Sequence, residues 1–372
     1  MPPLGGFKPL KGVDVKKRWL WAVLILVIVG VVVWLSYPNL ANLAIKKQVR
    51  ATIEGLQTDL LEDGKLHVIV VGSGSPATDP FRVQSCLAII ADNDFLLFDT
   101  GGASAYRLDN LRLPAQNLTT VFFTHLHSDH IADLPLVANL GWRHGRKNTL
   151  NVYGPIGTES VVNGFNQAFT PDLTFRSDNT KSLTAPVEVA FPVGHDIPTP
   201  NETERVPVYE GPSGLRVSAF LVDHRPVKPA FGYQIEYKGR KIVISGDTRR
   251  CENVARHAQN ADILIHEAYN KRLVDRMLTL TSDAKKNKAY GELLTKEARQ
   301  VQHYHTSPVE AAGIAAEAKV HTLVFTHVIP PLGNRVARFL VTEPFFMAGV
   351  KDRFHGEVIL AEDGTHLALD PK

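Results

Sequence analysis

The chain has 372 residues, 44% of them hydrophobic and 21% charged, enough to bury one large α/β core or two small ones and too apolar for a disordered or low-complexity chain. The net charge of +3 conceals an asymmetry: the first 50 residues hold eight Lys/Arg against one Asp, leaving 33 basic and 37 acidic residues beyond them, so the main body stands near −4. A body without a basic excess is a poor candidate for gripping a polyanion, whose affinity comes largely from phosphate neutralisation, and two cysteines, Cys86 and Cys251, exclude a cysteine-rich zinc site.

From Trp19 to Tyr37 runs a stretch without a charge, which as a helix rises about 28 Å, close to the thickness of a bilayer's hydrocarbon core. Trp19, Trp21, Trp34 and Tyr37 bracket it as interfacial anchors, and Lys16, Lys17 and Arg18 precede it. The stretch is predicted to be a transmembrane signal anchor, because its apolar core outruns the usual ~7–15 residues of a cleaved signal and no small-x-small site follows closely. Five basic residues precede the segment and three, Lys46, Lys47 and Arg50, follow it. That bias predicts residues 1–18 as a basic cytoplasmic tail, one pass through the inner membrane, and a catalytic domain on the extracytoplasmic side. Residues 38–64 read as a linker or helical stalk, and 65–372 as the folded domain.

The domain opens with the apolar strand Leu66-His67-Val68-Ile69-Val70-Val71. The turn Gly72-Ser73-Gly74-Ser75-Pro76 lacks the spacing of a nucleotide-binding loop and reads equally as a plain turn or a turn beside a site. Strands are predicted at 86–91 and 95–98, the second closing on Asp99-Thr100-Gly101-Gly102, where Asp99 is expected to cap the turn or brace a metal-binding histidine. A strand at 121–123, a helix at 131–144, a strand at 149–153 and a helix at 157–168 follow. Then come β-rich runs at 186–193, 215–223, 231–237 and 241–245, with 194–214, loaded with Pro, Gly and Glu, as an exposed loop. Helical pieces are expected at 251–259 and in the polar segment 270–302, either a lid over a site or a surface hairpin. Ser307-Pro308-Val309-Glu310 is a capping-box start for a helix to about 319, and the chain closes with a strand at 321–326, a helix at 343–352 and a strand at 357–361. Two β-rich halves, each followed by helices, suggest paired sheets covered by helices.

The chemistry concentrates in Thr124-His125-Leu126-His127-Ser128-Asp129-His130, directly after Val121-Phe122-Phe123. From a strand end, His125 and His127 project the same way, while Asp129 and His130 follow where the chain turns. Neutral imidazoles and carboxylates suit zinc, and neighbouring sites let one hydroxide sit between two Lewis acids. Four later positions put a ligand-type residue where an apolar run stops: Asp223-His224, Asp247 after Ile242 to Gly246, His266-Glu267, and His327 after Leu323 to Thr326. Strand ends on one rim are where α/β sheets place their sites. His195 is the rival of His224 as a ligand, His266 reads as a buried supporting group, and His303 has no assignment.

These motifs resemble the metallo-β-lactamase superfamily, whose H-x-H-x-D-H stands here as His125, His127, Asp129 and His130, with further matches at Asp99-Thr100-Gly101, His224, Gly246-Asp247-Thr248 and His327. The resemblance covers most of 66–362. It implies an α/β fold, an αββα sandwich here preceded by one transmembrane helix, and two zinc ions, with manganese or iron(II) as alternatives. His125, His127 and His224 would hold one ion, Asp129, His130 and His327 the other, and Asp247 would bridge. Two branches look similar. His266-Glu267-Ala268 and His305-Thr306-Ser307-Pro308 look like the ribonuclease Z group and the related bacterial arylsulfatase group, the latter also through Val152 to Thr158 and Asp223 to Tyr233. Ribonuclease Z enzymes typically carry a long basic insertion between the two metal motifs, whereas 22 residues separate His224 from Asp247 here.

The expected function is therefore an arylsulfatase-like hydrolase of sulfate or related small esters, anchored in the membrane and attacking with a metal-bridging hydroxide. Asp129 would orient that nucleophile, His305 would protonate the leaving group, and Glu267 would orient His305. A ribonuclease Z-type phosphodiesterase acting on precursor tRNA is the alternative, followed by a lactonase or acyl esterase and by a non-catalytic metal-binding envelope protein. Nucleic acid ranks below a small ester as the partner.

Overall fold

The computed structural model describes residues 15–180, 186–282, 287–333, 339 and 343–372. The chain divides into two units, Met1–Leu56 and Gln57–Lys372. In the first, helix α1 (Val15–Glu54) carries Pro38 in its interior and extends through most of the expected stalk. Over Trp19–Ala51 it is long and apolar enough to cross a bilayer by length and composition. Most of the expected basic tail, residues 1–14, lies outside the described residues.

The second unit holds two seven-stranded sheets. The first contains β1 (Leu66–Gly72), β2 (Cys86–Ala91), β3 (Asp94–Phe98), β4 (Leu118–Phe122), β5 (Asn151–Gly154), β6 (Val193–Asp196) and β14 (His366–Leu369), in the order β14-β1-β2-β3-β4-β5-β6. The second contains β7 (Arg205–Glu210), β8 (Arg216–Leu221), β9 (Phe231–Tyr237), β10 (Arg240–Ile244), β11 (Ile263–Tyr269), β12 (Thr322–Ile329) and β13 (Glu357–Leu360), in the order β13-β12-β11-β10-β9-β8-β7. Each sheet is part antiparallel meander and part parallel: β3 to β6 run parallel in one, β10 to β13 in the other.

The inner strands are buried on both faces, so each residue's position in the two-residue period decides which core it joins. Leu66, Val68 and Val70 of β1, Leu96 and Phe98 of β3, and Ile242 and Ile244 of β10 meet in one core between the sheets. Their neighbours in sequence point outward. Ile69, Val71 and Leu97 pack under Leu108 of α2 (Ser104–Asn110), Val137 of α4 (Leu134–Arg143) and Val162 of α5 (Thr158–Thr180). Val243 and Leu264 pack under Val254 of α6 (Glu252–His257) and Ile314 of α9 (Pro308–Glu317). Four layers follow, helix, sheet, sheet, helix. Cys86 lies in one outer core and Cys251 against the other, and both are free thiols.

The differences from expectation fall at sheet edges. Residues 194–214 contain edge strand β7, whose alternating burial and internal Pro207 disguise it as loop. Within 186–193, Val187–Ala190 is a 3-10 turn, and pairing starts at Val193. The helix expected at 343–352 is helical over Glu343–Phe346. The half-exposed terminal strand β14 and helix α2 carry no strong apolar period and escaped sequence reading. The 270–302 segment forms α7 (Lys271–Ser282) and α8 (Lys288–Val301), and Ser307 and Glu310 cap α9 reciprocally.

Candidate metal centre

The first sheet contributes one loop. β4 ends at Phe122, the chain bends at Thr124 and is extended again at His127, and Asp129 and His130 occupy the single turn α3 (Ser128–Ile131). The β3 turn is pressed against that loop: Thr100 N donates to the His130 carbonyl at 2.7 Å, and a Cβ at Gly101 would stand 2.1 Å from the Asp129 carbonyl, so only a bare glycine fits. Asp99 sits in the left-handed region at φ 61°, a strain that surrounding contacts must hold. Its Oδ1 accepts from Thr124 N at 2.8 Å, and its Oδ2 lies 2.8 Å from His130 Nδ1. The carboxyl both caps the turn and braces a histidine.

The second sheet contributes single residues. His224 follows β8, Asp247 follows β10, Glu267 lies on β11 and His327 on β12, while His305 stands at the entry to α9. Gly246 turns the chain at φ +61°, where a Cβ would meet the Phe231 carbonyl at 2.6 Å. His327 is also left-handed, at φ 47°. The residue after it, Val328, donates its N–H to the Ser73 carbonyl, and Ser73 is held by Asp363, so the glycine-rich turn after β1 braces a candidate ligand.

These side chains converge. His125, His127 and His224 form one group of donors within 4.8 Å of one another, Asp129, His130 and His327 a second, and His125, His130 and Asp247 a third. Asp247 Oδ2 is 3.3 Å from His327 Nε2, 3.4 Å from His130 Nε2 and 4.0 Å from His125 Nε2. Asp129 Oδ2 is 3.1 Å from His327 Nε2 and 3.3 Å from His130 Nε2.

The donor set fits divalent cations. His130 Nε2 and His224 Nε2 are buried without a hydrogen-bond partner, while each ring's Nδ1 faces an acceptor, Asp99 in one case and the Tyr304 carbonyl at 3.1 Å in the other. A proton on Nδ1 alone, the form a bound cation requires, would leave both Nε2 lone pairs aimed into the cluster. Burial drives His125 well below the usual imidazole range and pushes His224 down to about 4, which keeps both rings in the neutral, ligating form. Burial alone would raise the Asp247 carboxyl, but His327 and His130 outweigh it and hold the group well below the usual carboxylate range. Asp99, Asp129 and Asp247 are all nearly inaccessible to solvent, and so much buried negative charge calls for cations among them.

Beside the cluster, Glu267, His305 and His327 make a further group. Glu267 Oε1 accepts from Thr306 N at 2.8 Å and from Thr248 N at 3.4 Å, and lies 3.2 Å from His305 Nδ1 without the alignment of a hydrogen bond. Burial, reinforced by Asp247, pushes the Glu267 carboxyl well above the usual range. All nine residues expected at the site are thus brought together. His195 is not among them: it stacks on Tyr153 and its Nε2 pairs with Asn151. His266 bonds its neighbour's carbonyl, the one belonging to Glu267. Sequence reading missed Tyr304, whose contribution to His224 is a backbone carbonyl that carries no residue signature, and Thr124, whose hydroxyl joins Asp99 to His125.

Residues 95–328 match the family model described as the beta-lactamase superfamily domain. A protein named Ribonuclease Z from Mycobacterium bovis (strain BCG / Pasteur 1173P2) is 31% identical over 310 residues, covering 82% of this chain and 99% of the relative. Another Ribonuclease Z, from Mycobacterium sp. (strain KMS), is 32% identical over 270 residues, 72% of this chain and 85% of its own length. Among solved structures, the short form of human tRNase Z superposes with a TM-score of 0.55 at 23% identity, and the metallo-β-lactamase fold protein YhfI of Bacillus subtilis with 0.55 at 20%. Each covers 82% of this chain and 99% of its own. The curated relatives overturn two expectations, sulfate-ester hydrolysis of the arylsulfatase kind and a small ester as the substrate. Both had rested on a short gap before Asp247, an acidic body, the apolar helix at 19–37 and a likeness to the arylsulfatase group at 152–158 and 223–233, features that bear on how a substrate is gripped or reached more than on which bond is cut.

Proposed function

The chain belongs to the metallo-β-lactamase superfamily and is a metal-dependent hydrolase acting on ester bonds, and we propose that the ester it cleaves is a phosphodiester of RNA, in the manner of ribonuclease Z on precursor tRNA. The observation that carries this reading is the 31% identity maintained over 99% of the length of a protein bearing that name. The Glu267–His305 pair beside the metal cluster supports it, since it sets a hydrogen-bonding imidazole at the rim where a leaving oxygen would emerge.

In this reading His125, His127 and His224 would hold one divalent ion and Asp129, His130 and His327 a second, with the Asp247 carboxylate within reach of both groups. The ions are assigned as zinc, which favours such imidazole and carboxylate donors. When bound, they lower the pKa of water toward neutrality and offset charge at the attacked phosphate. Asp129 directs Oδ2 at His130 and His327, leaving Oδ1 to orient the attacking water. His305 donates to the leaving oxygen, and Glu267 fixes its position through the two backbone amides it accepts.

The test is a panel assay of the metal-loaded protein on a 3′-extended precursor tRNA, bis-p-nitrophenyl phosphate, p-nitrophenyl sulfate and a homoserine lactone. Precursor tRNA should be cleaved at its 3′ extension and the small diester more slowly; preference for the sulfate or the lactone would overturn the reading. Attachment to a membrane through α1 is part of the proposal, supported by the length and composition of that helix. A reporter fused after Lys372 reads its orientation. Processing of tRNA requires that end in the cytoplasm, and the opposite side, which the five-to-three bias of basic residues around the span favours, would exclude precursor tRNA as substrate.

A further inference from the structure

The negative body is not uniform. Residues 271–303, between Glu267 and His305, hold eight Lys/Arg against four Asp/Glu, and removing them from the chain after residue 50 leaves 25 basic and 33 acidic residues. A comparable excess lies at 225–256, eight Lys/Arg against three Asp/Glu, so 271–303 is one of two basic stretches of the catalytic unit and the one that lies between Glu267 and His305.

Three of the eight cations of 271–303, Lys288, Lys296 and Arg299, belong to α8, while Lys271, Arg272 and Arg276 belong to α7. In α8, Lys288, Glu292, Thr295, Lys296, Arg299 and His303 recur at three- and four-residue intervals and line a shallow surface groove. Lys288, Lys296 and Arg299 are exposed, and the one acid on the stripe, Glu292, is 3.9 Å from Lys288. The opposite side holds the helix in place: Leu294, Ala298 and Val301 are half-buried, the Tyr269 hydroxyl donates to the Ala298 carbonyl, and Lys271 Nζ donates to Gln302. The groove ends at His303. The next residue gives its carbonyl to His224 Nδ1 and sets its ring 5.3 Å from the His224 ring, and the one after is His305. A polyanion lying along the stripe is delivered to the cluster by the chain itself.

We propose that α8 is the RNA-docking element of this enzyme, with Lys288, Lys296 and Arg299 neutralising backbone phosphates of the segment that enters the site. This rests on the ribonuclease Z reading and adds to it the surface that holds the substrate. It places the grip between Glu267 and His305, in a chain where 22 residues separate His224 from Asp247.

The experiment uses full-length, metal-loaded protein and the exposed double variant K296Q/R299Q, with K296E/R299E as a stronger form. For precursor tRNA, KM should rise about tenfold while kcat stays at the wild-type value, and the log–log dependence of kcat/KM on salt should flatten by about 1.5, at ~0.7–0.9 for each phosphate no longer neutralised. Turnover of bis-p-nitrophenyl phosphate, too small to reach α8, should be unchanged. A wild-type KM and salt slope in both variants would overturn the docking role while leaving the ribonuclease reading intact. A parallel loss on the small diester would overturn it in favour of a structural role. A wild-type protein that cleaves the small diester but not precursor tRNA would remove the reading beneath it, and the inference with it.

Discussion

The two sheets supply the metal centre in opposite ways. The first gives His125, His127, Asp129 and His130 from one loop of seven residues, set by local backbone and by the Asp99 turn beneath it. The second gives His224, Asp247, Glu267 and His327 one at a time, from separate strands whose register has to be right before the donors meet. A contiguous loop keeps its donors near one another wherever it sits. Dispersed donors exist as a site only in the folded sheet, so metal binding through them is also folding free energy.

The largest effect should come from Asp247, the second-sheet residue that shares donor groups with His125 and His130 on one side and with His224 and His305 on the other. Asp247→Ala should reduce bound metal from about two equivalents to below one and cut turnover by about 10³-fold or more, read by elemental analysis and by cleavage of bis-p-nitrophenyl phosphate. Retention of both ions would mean that the first-sheet loop suffices and would break the comparison. Next in size, His305→Ala should lower kcat by about 10²–10⁴-fold at full metal content; loss of metal would instead make His305 one more dispersed ligand. The smallest effect tests the loop itself. Asp99→Asn should weaken metal affinity by about 10–100-fold in chelator competition, since it loosens the hydrogen bond that orients His130. An unchanged affinity would show that the loop holds its shape without the turn below it.

The same contrast explains what could be read from the residues alone. The loop was legible because its ligands are neighbours in sequence, and the dispersed donors because each stands where an apolar run stops. The buried strands were legible as such, since β9 matches its apolar run residue for residue. Edge strands β7 and β14 were not, because half of each strand faces water and its period is diluted. The support that Tyr304 gives His224 is a main-chain carbonyl, fixed by the path of the backbone rather than by side-chain identity. The basic stripe of α8 was hidden for a different reason: averaged over the body, its charge vanishes into a net negative total. That average supported a small substrate and ranked nucleic acid below it, an order that the curated relatives reverse.

One contact limits how this centre can change. A single oxygen of Glu267 receives the amide of Thr248, beside Asp247, and the amide of Thr306, beside His305. The turn that carries Asp247 and the turn that carries His305 therefore hang from one peg, and neither can be re-aimed without dragging the other. The exposed face of α8, whose own fastenings are at Tyr269 and Lys271, can change residue by residue without touching that peg.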